Sequence, residues 1–220
     1  MGMKNYLLPL LSLLVLGMIL IACGGSSDIP VAPDAKVLFK DDFSNTEGGG
    51  DQVQDEGEAV IGYVNQAYQM KVIKANSDFW ANPEGQSFSD VRVEVKATKI
   101  TGSTDNNDFG VICRYKNPSN FYYFIISSDG YYGIQKMKNG SLQWIDMDEM
   151  VPSDVINLGD AENQIRADCV GNELTLYING QKIIKVTDST FSEGNVGLIA
   201  GTFDEGYTEI LFDDFKVLKP

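Results

Sequence analysis

The side chains able to carry acid–base chemistry in this 220-residue chain are carboxylates, tyrosines and lysines, because histidine is absent. Three acids, Glu94 in VRVEVKAT, Asp108 in NDFGVICRY and Asp168 in NQIRADCV, stand inside short apolar runs. Catalysis by carboxylates needs an acid and a base in matched positions, and no such pair is spaced along any one run. The arginines Arg114 and Arg166, with Asp168, bring forks and an acceptor suited to hydroxyl groups. The rings of Tyr122, Tyr132, Trp80 and Trp144 could cover the apolar face of a sugar. The plain structural reading of the same set is an ion-paired face with tyrosines packed under a loop and tryptophans capping a core. No G-x-S-x-G elbow, H-E-x-x-H pair or phosphate loop occurs, which removes the usual sequence signs of serine, zinc and nucleotide chemistry.

Charge narrows the partners. The formal net charge is −14, which argues against nucleic acid and against docking of the domain on anionic lipid headgroups. The acidic stretches SNTEGGGDQVQDEGE and GSTDNND offer oxygens but not the ligand spacing of an EF-hand. A structural Ca²⁺ held by Asp41 or Asp42 from one end of the chain and Asp213 or Asp214 from the other is the better metal candidate. Its alternative is solvated charge that keeps edge strands from pairing.

The N-terminus, MGMKNYLLPLLSLLVLGMILIACGGSS, has one lysine, an apolar run from Leu7 to Ile21, and small residues after it. That is the pattern of a secretion signal, and the run is shorter than the ~20 residues of a membrane-spanning helix. Leu20-Ile21-Ala22-Cys23 resembles the lipobox of bacterial lipoproteins. The resemblance implies cleavage before Cys23, acylation of that cysteine and a lipid anchor in the cell envelope, outside the cytoplasm. Residues 1–22 are then the signal peptide, 23–35 a Gly, Ser and Pro linker, and 36–220 a single folded domain. With Cys23 assigned to lipid, Cys113 and Cys169 remain, and in oxidising surroundings they are expected to form a disulfide. The alternative is two buried free thiols.

Positioning these groups falls to strands. VRVEVKAT alternates Val91, Val93, Val95 and Ala97 with Arg92, Glu94 and Lys96, the period of a strand with one wet side. NDFGVICRY, NFYYFIIS, GYYGIQKM, NQIRADCV, ELTLYI and QKIIKV follow, joined by KNPS, SDG and ING turns. No stretch holds helical spacing over three turns. The density of strands predicts an all-β, antiparallel two-sheet β-sandwich or a barrel. In NFYYFIIS both phases are apolar: Phe121, Tyr123 and Ile125 on one side, Tyr122, Phe124 and Ile126 on the other. One phase must fill the core, and the other is either covered or left as an aromatic strip. If the disulfide marks the inside, Arg114, Arg166 and Asp168 face outward.

VLFKDDFSN near the start and ILFDDFKVL at the end repeat one phrase and read as first and last strands, possible neighbours in one sheet. Together with FSDVRVEVKAT, DFGVICRYKNPSNFYYFIISSDGYYGIQKMKNG, ELTLYINGQKI and GNVGLIAGTFDEGYTEILFDDFKVL, this pattern resembles the concanavalin A-like jelly rolls. Within that group it resembles especially the laminin G-like and 3-keto-disaccharide hydrolase-like domains. The resemblance implies a sandwich with one concave face that holds carbohydrate on that face or on the loops at its rim. The E-x-D-x-E run of laminarinase-type relatives is missing, so a glycan-binding role without chemistry is expected first. A glycoside or 3-keto-disaccharide hydrolase comes second, with Asp168, Glu94 or Asp108 as conceivable acids, and a protein-adhesion module third. Two carboxyls facing one another in a cleft would favour hydrolysis, a polar-rimmed aromatic face would favour sugar, and a broad apolar patch would favour a protein partner.

Overall fold

The computed structural model describes residues 35–44, 53–55 and 57–220; Cys23 and the linker that follows it lie outside them. The strands in chain order are β1 (Val37–Asp41), β2 (Val53–Asp55), β3 (Ala59–Val64), β4 (Ala67–Val72), β5 (Ser77–Ala81), β6 (Val91–Gly102), β7 (Asn107–Asn117) and β8 (Asn120–Ile126). They continue with β9 (Tyr131–Lys138), β10 (Ser141–Trp144), β11 (Val151–Pro152), β12 (Asn163–Val170), β13 (Glu173–Ile178), β14 (Gln181–Thr187), β15 (Asn195–Thr202) and β16 (Thr208–Leu218). Nine strands form one antiparallel sheet, in the order β14-β13-β12-β6-β16-β4-β3-β2 with β1 also on β16. Seven form the other, β10-β9-β8-β7-β15-β5 with β11 also on β9. The end phrases are neighbours as expected: β1 lies antiparallel to β16, with Asp41 opposite Phe215.

Alternation explains why these strands stack in two layers. Val91, Val93, Val95 and Ala97 of β6 and Ile165, Ala167 and Cys169 of β12 are buried on the inner face of the large sheet. Phe109, Val111 and Cys113 of β7, Tyr122, Phe124 and Ile126 of β8 and Ile134 of β9 meet them from the small sheet. Burying the apolar phase of each strand against the other sheet drives the sandwich together. Cys113 and Cys169 are bonded across this core, with Cα atoms 6.9 Å apart, so one covalent link joins the two layers. The hairpins close with left-handed residues where the sequence supplies Asn-Gly: Asn139 and Gly140 have φ of 51° and 76°, and Asn179 and Gly180 50° and 82°. That pair of positive angles matches the twist of the flanking strands.

Arg114 leaves the phase that simple alternation assigns it, and Tyr122, a candidate ligand residue, falls on the inner phase. Arg114 has a φ of 55°, and the β7–β8 register shifts between Cys113 and Asn117. This bulge re-aims the side chain, as bulges do. Instead of facing outward, Arg114 is 1% exposed and its guanidinium donates to the carbonyls of Ser89 and, at 2.8 Å, Phe191. It ties loop backbone to the end of the core. Tyr122 points inward beside Cys113 and packs on the Phe191 ring. Its hydroxyl donates to Asp188 Oδ1 at 2.5 Å and accepts from the Phe191 N–H at 2.9 Å. Burial alone would raise the pKa of Asp188, but hydrogen bonds from Lys136, Thr190 and Tyr122 outweigh it and hold this carboxyl well below the usual range. Tyr122→Phe strands the Phe191 N–H, and an expected loss of about 1–3 kcal/mol is measurable by urea unfolding; an unchanged midpoint would show that the hydroxyl is dispensable.

Candidate functional site

The outer face of the seven-stranded sheet collects most of the side chains that could meet a ligand. Its middle is a second apolar cluster of Ile112, Phe121, Tyr123, Ile125 and Ile199, each no more than 1% exposed. The second phase of NFYYFIIS is therefore covered. Its roof is made of partly exposed Trp80, Tyr115, Met137 and Met150. Trp80 lies on β5, where the alternation of SDFWA puts Asp78 and Trp80 on the same face. Its ring stands 5.3 Å from the Phe121 ring, and its indole N–H is 3.4 Å from the Tyr115 hydroxyl. Trp144, at the end of β10, pairs with Gln135 and lays its ring over Gly133, with Cζ3 2.6 Å from where a Cβ would be. Both tryptophans are thus strand residues beside the same cluster, Trp80 within β5 and Trp144 at the end of β10.

At one end of this face two carboxylates meet. Gly201 of β15 pairs with Asp78 of β5 on one side and Asp108 of β7 on the other, so all three side-chain positions share a row. A Cβ on Gly201 would overlap the Oδ1 atoms of both aspartates; only glycine leaves room for them to converge. Asp108 is 4% exposed and its Oδ1 has no hydrogen-bond partner among the described residues. Burial pushes the Asp78 carboxyl up to about 6. Burial, and then the charge of Asp78, push Asp108 well above its ordinary value. In the row that holds Ile112, the Tyr123 hydroxyl donates to Gln135 Oε1. Burial, followed by the charges of Asp78 and Asp108, lifts this phenol far above its usual range.

The remaining candidates sit elsewhere. Arg166 and Asp168 do face outward, but from the nine-stranded sheet. Asp168 accepts two hydrogen bonds from Arg92, at 2.8 and 3.0 Å, and two from Arg166, at 2.9 and 2.6 Å. Arg166 in turn stacks 4.1 Å over the Tyr177 ring. Burial opposes ionisation of Asp168, yet the two guanidiniums prevail and keep it lowered, which makes it a poor proton donor. Glu94 lies beside this trio and burial raises it, against the pull of Arg166 and Arg92. Tyr132 packs against the main core. Asp41 accepts the Tyr63 hydroxyl at 2.7 Å, Asp42 is bonded by Ser44, Asp213 accepts its neighbour's N–H, and Asp214 pairs with Lys96 at 2.9 Å. Among the described residues no three His, Cys, Asp or Glu side chains gather as a metal-binding group.

Sequence reasoning singled out Trp80, Trp144 and Asp108 but missed Asp78, Tyr123, Gln135 and the glycines beneath them. The signal available was phase: Asp78 is two residues from Trp80, and Asp108 two from Gly110, so each shares a face with its neighbour. Which strand lies beside which is what local pattern does not carry.

With sheet order, inward phase and cross-sheet disulfide in place, the domain is a concanavalin A-like jelly roll. Solved structures of that class superpose on it. They include the carbohydrate binding module CBM66 from Bacillus subtilis, 19% identical with a TM-score of 0.55 over 69% of this chain and 86% of the module. The catalytic domain of an endo-1,3-β-glucanase (laminarinase) from Thermotoga petrophila is 9% identical, with a TM-score of 0.57 over 84% of this chain and 98% of that one. A β-glucanase of Bacillus licheniformis is 9% identical, with a TM-score of 0.56 over 83% and 98%. No family model matches the chain, and no curated protein matches it.

Proposed function

We propose that this protein is a lipid-anchored glycan-binding module of the bacterial cell envelope, tethered through Cys23 and the 23–35 linker, with the outer face of the seven-stranded sheet as its binding surface. The carrying observation is the set of partly exposed rings, Trp80, Tyr115 and Trp144, on the outer face of the small sheet, with Trp80 two residues from Asp78 of the carboxyl pair. Rings held by a β-scaffold lose little freedom on binding, and their flat faces suit the C–H side of pyranoses. Solved structures with the same fold include a carbohydrate binding module and glucanases, which supports a carbohydrate-related role for the fold. A Ca²⁺ between Asp42 and Asp213 belongs to the same proposal only as a structural addition.

Hydrolysis is the second reading, because Asp78 and Asp108 do face one another. Their Oδ1 atoms lie 2.1 and 2.2 Å from the position a Gly201 Cβ would take, which bounds their separation below the ~5 Å that a retaining pair keeps across a glycosidic bond and well below that of an inverting pair. Binding without turnover therefore ranks first. The test is a panel of polysaccharides offered to the full chain, with and without Ca²⁺, followed by product analysis. Trp80→Ala and Trp144→Ala are each expected to weaken the best ligand about tenfold, equivalent to ~1.4 kcal/mol. Released sugar would promote the hydrolase, and silence across the panel would turn the search to a protein partner.

A further inference from the structure

We infer that Asp78 and Asp108 share one proton and together form the hydroxyl-binding seat of this face, selecting neutral glycans that present adjacent hydroxyl groups. The inference rests on the glycan-binding reading above and names the ligand class of that surface. Its first support is geometric: the two Oδ1 atoms lie on either side of the space a Gly201 Cβ would fill, 2.1 and 2.2 Å from it, which only glycine leaves open. The second is the unpartnered Oδ1 of Asp108, 96% of whose surface is removed from solvent. A buried acceptor without a partner is costly, and a proton held between the two carboxyls supplies the missing bond as O–H···O⁻.

The neighbouring hydroxyls are already engaged: Ser127, next after Ile126 of β8, donates to Asp129, and Tyr123, further along β8, donates to Gln135 of β9, while β15 contributes only Gly201 between the two acids. Among the described residues neither aspartate forms an ion pair with a lysine or arginine. Two full charges at this separation repel strongly in a dry site, so carboxyls this close titrate as a unit that retains its last proton. The raised values of both groups agree with that.

With its one proton held inside, the half-protonated pair presents only acceptors, chiefly on the partly exposed Asp78, and these match two neighbouring sugar hydroxyls as donors. Asp78 is partly exposed and stands two residues from Trp80, so a ring that stacks on the indole brings its hydroxyl edge to the pair. A uronate or sulfate would instead meet the pair's remaining negative charge on a chain already at −14. No bond is made or broken, and the proton stays within the pair.

The experiment measures binding of the full chain to β-glucan, xylan and mannan as neutral probes, and to polygalacturonate and chondroitin sulfate as anionic ones, at pH 5 and pH 8. The wild type is expected to bind its best neutral polymer about tenfold more tightly at pH 5, where the proton is in place, and the anionic polymers weakly throughout. Asp108→Asn and Asp78→Asn, which cannot carry two charges, should bind with little pH dependence; two variants are used so that one folding failure is not decisive. Neutral binding that is equal at both pH values in the wild type, that keeps its pH dependence in both variants, or that is matched by the anionic polymers overturns the inference and leaves glycan binding intact. Silence of the wild type toward every neutral polymer overturns both. A rise in melting temperature with Ca²⁺ that Asp108→Asn abolishes would replace the proton with a bound cation.

Discussion

Replacing Cys113 and Cys169 together by alanine is expected to lower the melting temperature by roughly 10 °C. The bond closes a loop of 56 residues, and the chain-entropy relation gives about 4 kcal/mol for a loop of that length. For a domain of this size ~1 kcal/mol corresponds to a shift of about 2–4 °C. Both cysteines are fully buried, so the two alanines also remove sulfur contacts from the core, which adds to the loss. The bond joins β7 to β12, one strand from each sheet. Its removal should therefore ease separation of the layers as well as enlarge the unfolded ensemble. Thermal melting of the double variant against the parent measures this; a difference within a degree or two would show that packing alone holds the sheets together.

Asp108→Asn is expected to have the opposite sign. A carboxyl raised on folding binds more protons in the native than in the unfolded state through the interval between the two values. Stability then falls as pH rises through that interval. For Asp78 the interval runs from the ordinary 3.8 to about 6, and a shift of that size is worth roughly 3 kcal/mol once the pair is charged; Asp108 extends the interval upward. Other carboxyls push the opposite way. Asp188 and Asp168 are lowered on folding, so they contribute stability above the unfolded value that is lost on acidification.

The difference between variant and wild type isolates the pair. Asparagine keeps the shape, supplies an N–H toward Asp78 and removes the repulsion. The variant should melt several degrees above the wild type at pH 7.5, and the two should converge near pH 4. A variant that melts below the wild type at pH 7.5 would mean that the two carboxyls are not in conflict in solution.

These effects define how the site could work. The sandwich holds two layers by apolar burial and one covalent link, and the outer face of the small sheet uses that rigidity to keep two acids in a position that costs stability. Unfavourable local electrostatics supported by a strong surrounding scaffold are a common mark of functional surfaces. By contrast, Asp168 on the large sheet has both oxygens filled by hydrogen bonds from Arg92 and Arg166. A group whose hydrogen bonds are already filled has little left to offer a ligand.

Much of the architecture was legible in the chain. Alternation in VRVEVKAT fixed which side of β6 is buried, Asn-Gly marked the hairpins, the two DDF phrases marked adjacent end strands, and cysteine count marked the disulfide. Each of these depends on contacts a few residues long or on simple arithmetic, which sequence displays directly. The phase of NFYYFIIS was legible only as a choice, since both faces are apolar, and the partners in space decide it: Tyr122 lies opposite Cys113, and Cys113 is bonded across the core. Arg114 was misplaced by one bulge, because a single left-handed residue reverses every orientation after it. The carboxyl pair was invisible, since Asp78 and Asp108 are 30 residues apart and meet only because β15, from the far end of the chain, inserts between β5 and β7 and brings a glycine between them. Local periodicity thus determined the strands and their faces; the order of strands, which is set by long-range burial and chain connectivity, decided which acids became neighbours.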